Sequence, residues 1–189
     1  PSESGDALLK QGKQLFSEEA YAEAEAVLRK AVASPFSTGG RAEAYAVLGH
    51  ALSELGNYPE SITAHQHALE LEPQSSSFWT NLGVVYRLTA EYDKAAQCYE
   101  KALAINPDYP QVHASLGALH ITHTQKFDKA IAHLEKAIQL NPGMAIAYSN
   151  MAIAQASVGN FQEADRYLRL AVMKGYANSK SAKRIIDNL

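Results

Sequence analysis

The sequence predicts an all-α fold, a solenoid of about five antiparallel helix-turn-helix repeats closed by a C-terminal capping helix. Three observations predict it. Ala68, Ala102, Ala137 and Ala171 recur at intervals of 34, 35 and 34 residues, and a period in the mid-thirties is that of stacked helix pairs. Inside each period apolar residues return at helical spacing, so every period supplies amphipathic helices. Breakers divide the period in two, with a turn signal at its middle and, in three repeats, a proline at its end: Pro73, Pro107 and Pro142.

Residues 42–75 set the register. Tyr45, Leu48, Gly49 and Leu52 stand at i, i+3, i+4 and i+7, one face of a first helix. Gly56-Asn57 ends it, because a helix closes readily on a residue at positive φ. Pro59 suits the first turn of the second helix, where its missing N–H would be unpaired anyway. Ile62, His65, Ala68, Leu69 and Leu71 follow before Pro73 stops the helix. Residues 76–109 repeat the order with Trp79, Leu82, Gly83 and Tyr86, then Ala95, Tyr99, Ala102 and Pro107. Residues 110–144 give His113, Leu116, Gly117 and His120, then Phe127, Ala130, Leu134, Ala137 and Pro142, with one extra residue in the inner turn. Residues 145–178 give Tyr148, Met151, Ala152 and Gln155, then Phe161, Ala164, Leu168 and Ala171. Residues 5–38 give Leu8, Gly12, Leu15, Tyr21, Ala24, Leu28 and Ala31.

Gly12, Gly49, Gly83, Gly117 and Ala152 share one site of the first helix. Glycine inside a helix costs about 1 kcal/mol relative to alanine, so four glycines at one site mark a place where the second helix approaches closely. The recurrent alanines of the second helix serve the next contact along. Ser61 stands where other repeats have Ala24, Ala95, Ala130 and Ala164, and its hydroxyl is expected to bond back to the preceding turn. Gly39, Gly40 and Arg41 are inserted between the first two repeats and predict a tilted or looser junction. Residues 179–189 carry Ala182, Ile185, Ile186 and Leu189 as an apolar stripe beside Lys180, Lys183, Arg184 and Asp187, the pattern of a helix that caps a solenoid. Such a cap suggests a natural C-terminus, whereas a chain opening on Pro1-Ser2 without Met reads as a piece of something longer.

Composition narrows the function classes. Apolar residues make up 47% and charged residues 20%, far from the balance of a disordered chain. The net charge is −3 with Lys and Arg scattered, so nothing points to nucleic acid. Cys98 is the single cysteine, which rules out an internal disulfide and a thiolate metal cluster and fits a reducing, cytoplasmic setting. No run approaches the roughly 18 apolar residues of a membrane span, and the N-terminus lacks the order of a signal peptide. Catalytic patterns are missing too, with no phosphate-cradling Gly-rich loop, no G-x-S-x-G elbow and no H-E-x-x-H. His113, His120 and His123 share helix-face spacing, but the first two occupy the aromatic packing sites of their repeat, and no carboxylate or cysteine completes a zinc set. Glu18, Glu19, Glu23 and Glu25 cluster near a helix start, where they complement its dipole. Cys98 reads as a small packed residue. The sequence asks for no catalytic residue, no metal and no cofactor.

Trp79, Leu82, Gly83, Tyr86, Ala95, Tyr99, Ala102 and Pro107 resemble the tetratricopeptide repeat almost letter for letter, and the other repeats carry the same pattern less fully. The resemblance implies a right-handed superhelix whose concave face, lined by the first helices, binds a protein or peptide partner. Residues off the packing face of each first helix line it: Asp6, Leu9, Lys10 and Lys13; Glu43, Ala46, Val47 and His50; Ser77, Thr80, Asn81 and Val84; Gln111, Ala114, Ser115 and Ala118; Ile146, Ser149, Asn150 and Ile153. Asn81 and Asn150 occupy one repeat site, with Ser115 between them. An Asn amide can donate to a peptide C=O and accept from its N–H at once, and in some members of this family asparagines at that site hold the backbone of an extended peptide. Val84, Ala118 and Ile153 form an apolar strip one turn further on. The candidate groove is therefore Asn81, Asn150, Ser115, Thr80, Val84, Ala118, Ile153 and His50. The carboxylate clamp by which related domains capture chaperone tails needs cations at sites held here by residues such as Leu9, Ser77, Gln111 and Ser115, so that mode is not expected. The reading is a non-catalytic protein–protein interaction scaffold that binds an extended peptide or partner helix in its groove. The alternative is a self-assembly module, or a non-catalytic arm of a larger multidomain enzyme.

Overall fold

The computed structural model describes residues 4–37 and 39–188, and all regular structure among them is helical. Five pairs follow one another: α1 (Gly5–Ser17) with α2 (Tyr21–Ala33), α3 (Arg41–Glu54) with α4 (Tyr58–Leu71), α5 (Ser76–Leu88) with α6 (Tyr92–Ile105), α7 (Pro110–Leu119) with α8 (Phe127–Leu140), and α9 (Ala145–Ser157) with α10 (Phe161–Met173). A last helix, α11 (Ser179–Asp187), completes the order. The chain divides into two units, Pro1–Ile105 and Asn106–Leu189.

One turn device recurs inside the pairs. Glu19, Gly56, Ala90 and Gly159 take φ values of 60°, 78°, 60° and 85°. In each case the following N–H reaches back to close the helix: Ala20 to the Leu15 carbonyl at 2.9 Å, Asn57 to Leu52 at 2.8 Å, Glu91 to Tyr86 at 2.8 Å and Asn160 to Gln155 at 2.9 Å. This is the Schellman closure, which satisfies carbonyls that a helix end leaves over. The left-handed conformation costs a residue with a Cβ roughly 1 kcal/mol, so Glu19 and Ala90 are strained where Gly56 and Gly159 are not. The extra residue of the fourth pair is absorbed differently. His120–Thr124 continue α7 as a π-helical turn, with the Gln125 N–H bonded to the His120 carbonyl and Gln125 at φ 53°.

The two small-residue sites do what their spacing requires. Ala31, Ala68, Ala102, Ala137 and Ala171 are all 0% exposed. A β-carbon on Gly12, Gly49, Gly83 or Gly117 would stand 2.6–2.7 Å from Leu28, the His65 ring, the Tyr99 ring and Leu134 respectively. Each of those partners belongs to the second helix of the same pair, so the glycine sets how closely the pair packs. In the fifth pair Ala152 packs with Leu168 and with Ala182 of α11. Ile186 is part of that contact, but Ile185 is 48% exposed, so the apolar stripe of α11 is narrower than its sequence suggests. Leu189, the last residue of the stripe, lies outside the described residues.

One expectation needs correction. Ser61 does not bond back to its own preceding turn: its hydroxyl donates to the Gly49 carbonyl at 2.6 Å, across the pair. The missing Cβ of Gly49 brings the α3 backbone within reach of a fully buried hydroxyl, and that contact is the nearest acceptor. On either side of the Gly39-Gly40 insertion the chain is held by hydrogen bonds. The Gly5 N–H donates to the Pro35 carbonyl at 2.7 Å, and the Asp6 carboxylate accepts from both the N–H and the hydroxyl of Ser37 at 2.8 Å. Arg41 opens α3 and donates to the Ser34 carbonyl at 3.1 Å, while the Phe36 ring lies flush on Gly5 and Gly40.

Candidate protein-binding face

A second polar device locks the first helices. Trp79 Nε1, His113 Nε2 and Tyr148 Oη donate to the carbonyls of Pro73, Pro107 and Pro142 at 2.9, 2.8 and 3.0 Å. Each ring sits six residues after the proline that stopped the previous helix. The site therefore wants a ring that carries a donor, which explains why Trp, His and Tyr alternate there. With that face turned to the prolines, the remaining faces of the first helices are available for contact.

The structure divides the predicted groove residues into three rows. The first row is Leu9, Ala46 and Thr80 in the first unit and Ala114 and Ser149 in the second, and here the prediction was too generous. Leu9, Ala46, Ala114 and Ser149 are 7%, 4%, 7% and 0% exposed, and successive first helices are in contact within each unit. Thr80 is half-buried and donates its hydroxyl to the Ser76 carbonyl at 2.8 Å. The second row holds Val47 and Asn81 in the first unit and Ser115 and Asn150 in the second, all half-buried. Ser115 donates to the Gln111 carbonyl at 2.9 Å, which leaves its oxygen as an acceptor. The third row, His50 and Val84, then Ala118 and Ile153, is also half-buried.

In the first unit the second and third rows adjoin. The Asn81 side chain lies beside the His50 ring; burial holds His50 below the usual imidazole range, opposed by Asn81 and by the charge of Glu54. Phe16 packs 6.1 Å from the His50 ring centre on one side and His65 lies 5.1 Å away on the other. His65 is 0% exposed and neither ring nitrogen has a hydrogen-bond partner. Burial first, and then the neighbouring His50, push its pKa down to about 3, so the ring is neutral. At the edge of this face Lys13 on α1 pairs with Glu43 on α3, both well exposed. In the second unit the four residues of the lower rows carry no charge, and Ile146 adds a 44% exposed apolar side chain beside them.

Three histidines of the second unit form a packed cluster. His113 and His120 are buried, and the third member is His133 of α8, where the sequence had suggested His123. His113 Nδ1 and His133 Nδ1 are 3.1 Å apart, and His120 stacks on His133 with ring centres 5.8 Å apart. Since His113 donates through Nε2 to a carbonyl, its Nδ1 is the acceptor and His133 Nδ1–H is the donor. Burial, then His113, His120 and Lys129, push the His133 pKa down to about 4. The missed signal was register, for His133 stands 35 residues after Cys98 and so occupies the same inward site. Among the described residues no group of three or more His, Cys, Asp and Glu is placed to hold a metal ion. Cys98 is buried, and burial pushes its thiol up to about 11 with Lys101 opposing. No helix among the described residues is long and apolar enough to cross a membrane.

Comparison with known proteins follows the same lines. Models of the tetratricopeptide repeat match residues 76–109 and 123–183, and a TPR repeat model matches residues 49–89. The tetratricopeptide repeat-containing protein trd-1 of Caenorhabditis elegans is 29% identical over 85 residues, which are 45% of this chain and 11% of that protein. The chain thus spans a small part of the length of this curated relative. A tetratricopeptide repeat protein from Parabacteroides merdae superposes with a TM-score of 0.80 at 19% identity, covering 96% of this chain and 74% of that one. YrrB, described as a TPR protein with an unusual peptide-binding site, gives 0.74 at 20% identity over 94% of this chain and 90% of its own. At such identities the likeness is one of fold.

Proposed function

The chain belongs to the tetratricopeptide repeat family, and we propose that it is a non-catalytic scaffold whose first-helix faces hold an extended peptide or a partner helix. The observation that carries this reading is Asn81. It is half-buried beside the His50 ring, with Val84 one turn on, so its amide has limited room before a partner arrives. An amide held in this way meets a peptide backbone without losing much side-chain freedom. Asn150 occupies the equivalent place in the second unit, with Ile153 one turn on. The peptide-binding description of YrrB supports the same class of partner. Backbone hydrogen bonds then provide affinity across sequences, and Val84, Ala118 and Ile153 select apolar side chains.

A peptide array screened with the 189-residue chain tests this reading. Peptides that bind should lose about tenfold or more in affinity to the double variant Asn81→Ala, Asn150→Ala, corresponding to roughly 0.7 kcal/mol or more per amide, while the variant keeps the parent's far-ultraviolet circular dichroism and a cooperative thermal transition. Equal affinity in a folded double variant contradicts the groove mechanism.

Self-association, or service as an arm of a longer protein, is the second reading. Phe161, Val172 and Met173 on α10 are 56%, 52% and 80% exposed, an apolar surface that a second copy or a further segment would cover. Light scattering over a concentration series separates the two, since a concentration-independent monomer contradicts self-association.

A further inference from the structure

An open cavity of about 670 Å³ lies between α4, α5 and α6, wholly inside the first unit. Its floor is the buried or half-buried Trp79, Leu82 and Tyr86, and the exposed Lys94 and Lys101 stand at its rim. The aromatic floor is preformed. Trp79 is pinned by its bond to the Pro73 carbonyl, and the Gln66 amide reaches the Tyr86 hydroxyl at 3.5 Å. Lys101 Nζ lies 4.2 Å from the Trp79 ring centre and Lys94 Nζ 5.2 Å from that of Tyr86.

The preceding repeat shows what closes such a site. Between α2, α3 and α4 the equivalent cavity is about 300 Å³, and there Arg29 of α2 pairs with Glu60 of α4. The repeat register puts Gln66 where Arg29 stands and Lys94 where Glu60 stands. An ion pair across the mouth is thus replaced by two groups with no such attraction, and the cavity is open. The charges left at the open mouth are unequal. Lys94 pairs with Glu91 on its own helix end, and Glu70 of the lining turns to His67 at 3.0 Å. Lys101 makes no ion pair among the described residues; its ammonium rests on the Trp79 ring.

We infer that this cavity is a second protein-binding site, one that takes an apolar or aromatic side chain with a carboxylate beside it, supplied by an acidic peptide segment of a partner. The side chain packs on Trp79 and Leu82, where apolar area leaves water. The neighbouring carboxylate takes a charge-assisted hydrogen bond from Lys101, at a site where the aromatic floor already excludes solvent on one side. Successive residues of an α-helix are about 100° apart, which puts Trp79, Leu82 and Tyr86 about half a turn from Thr80, Asn81 and Val84. The two sites therefore use opposite faces of α5, and a partner at one leaves the other open. A scaffold with two such faces joins two chains instead of merely holding one.

Trp79 is the single tryptophan of the chain, so its emission reports on this cavity alone. The test is a titration of the 189-residue chain at low salt with acetyl-Glu-Phe-Glu-amide and with acetyl-Lys-Phe-Lys-amide. The acidic peptide should give a saturable change that the basic peptide does not. Lys101→Glu, at an exposed position, should raise the half-saturation concentration by about tenfold with unchanged far-ultraviolet circular dichroism. The double variant Asn81→Ala, Asn150→Ala should respond like the parent, which keeps this site separate from the groove. No saturable change, an equal response to both peptides, or an unaltered response in Lys101→Glu overturns the inference. So does saturable binding of 3-phenylpropionate with no response to the acidic peptide, which assigns the cavity to a small molecule.

Discussion

The two units bury histidine in opposite ways. In the first, His65 fills the space left by Gly49 as a neutral ring with neither nitrogen partnered. In the second, His113 and His133 share a hydrogen bond, and His113 spends its other nitrogen on the Pro107 carbonyl. The equivalents of His65 are Leu28, Tyr99, Leu134 and Leu168, so that site selects volume and accepts an imidazole as a poor leucine. The site of His113 selects a ring with a donor. The repeat therefore dictates shape at one place and chemistry at another, and residue type alone does not say which.

The largest expected effect breaks this contrast in acid. His65 binds a proton near pH 6.5 when unfolded but only near pH 3 when folded. Its contribution to stability is complete above about pH 6.5 and is lost as the pH falls toward 3, on the order of 4 kcal/mol at the bottom of that window. His65→Leu should remove that loss and also raise stability at neutral pH by about 1–3 kcal/mol, since no buried nitrogen is left unpaired. Urea unfolding at several pH values checks both, and a variant that tracks the parent through acid contradicts the account. His133, held down to about 4, works in the same direction over the shorter window from about pH 6.5 to 4. Hydrogen exchange should therefore show α7 and α8 losing protection in acid even in the His65→Leu variant.

Next in size are the close contacts that both units share. Gly83→Ala drives a β-carbon into the fully buried Tyr99 ring, and Ala102→Leu overfills a site with no exposed surface. Each should cost roughly 1–3 kcal/mol, read as a lower midpoint in denaturant. Ala152→Gly, at the same first-helix site as Gly83, should cost only about 1 kcal/mol through helix propensity. A smaller effect of opposite sign is expected at the inner turn of the third pair. Ala90 holds φ 60° where Gly56 and Gly159 stand in other pairs, so Ala90→Gly should stabilise by about 0.5–1 kcal/mol, a rise in melting temperature of a few degrees.

These contrasts also mark how far the sequence could be read. The helix pairs, the glycine site and the alanine site were legible because each repeats a steric demand at a constant interval. Leu9, Ala46, Ala114 and Ser149 were placed in the groove although they are buried, because periodicity within one helix does not display contacts made by neighbouring helices. The direction of the Ser61 bond depended on how near Gly49 lets two backbones come. The Trp79 cavity was hidden for a related reason: what distinguishes it from its smaller counterpart is the absence of a pair like Arg29–Glu60, whose members lie 31 residues apart. His133 was visible in the register, but helix-face spacing drew attention to His123 instead.

The central claim is that asparagines on the first helices meet a peptide backbone. Nuclear magnetic resonance of the Asn81 and Asn150 side-chain amides, assigned by the single alanine variants, tests it most directly in the presence of a peptide selected on the array. The account predicts that both amide signals shift on saturation together with the backbone signals of Val84 and Ile153. Shifts that leave both asparagine amides in place and fall on Phe161, Val172 and Met173 would contradict it.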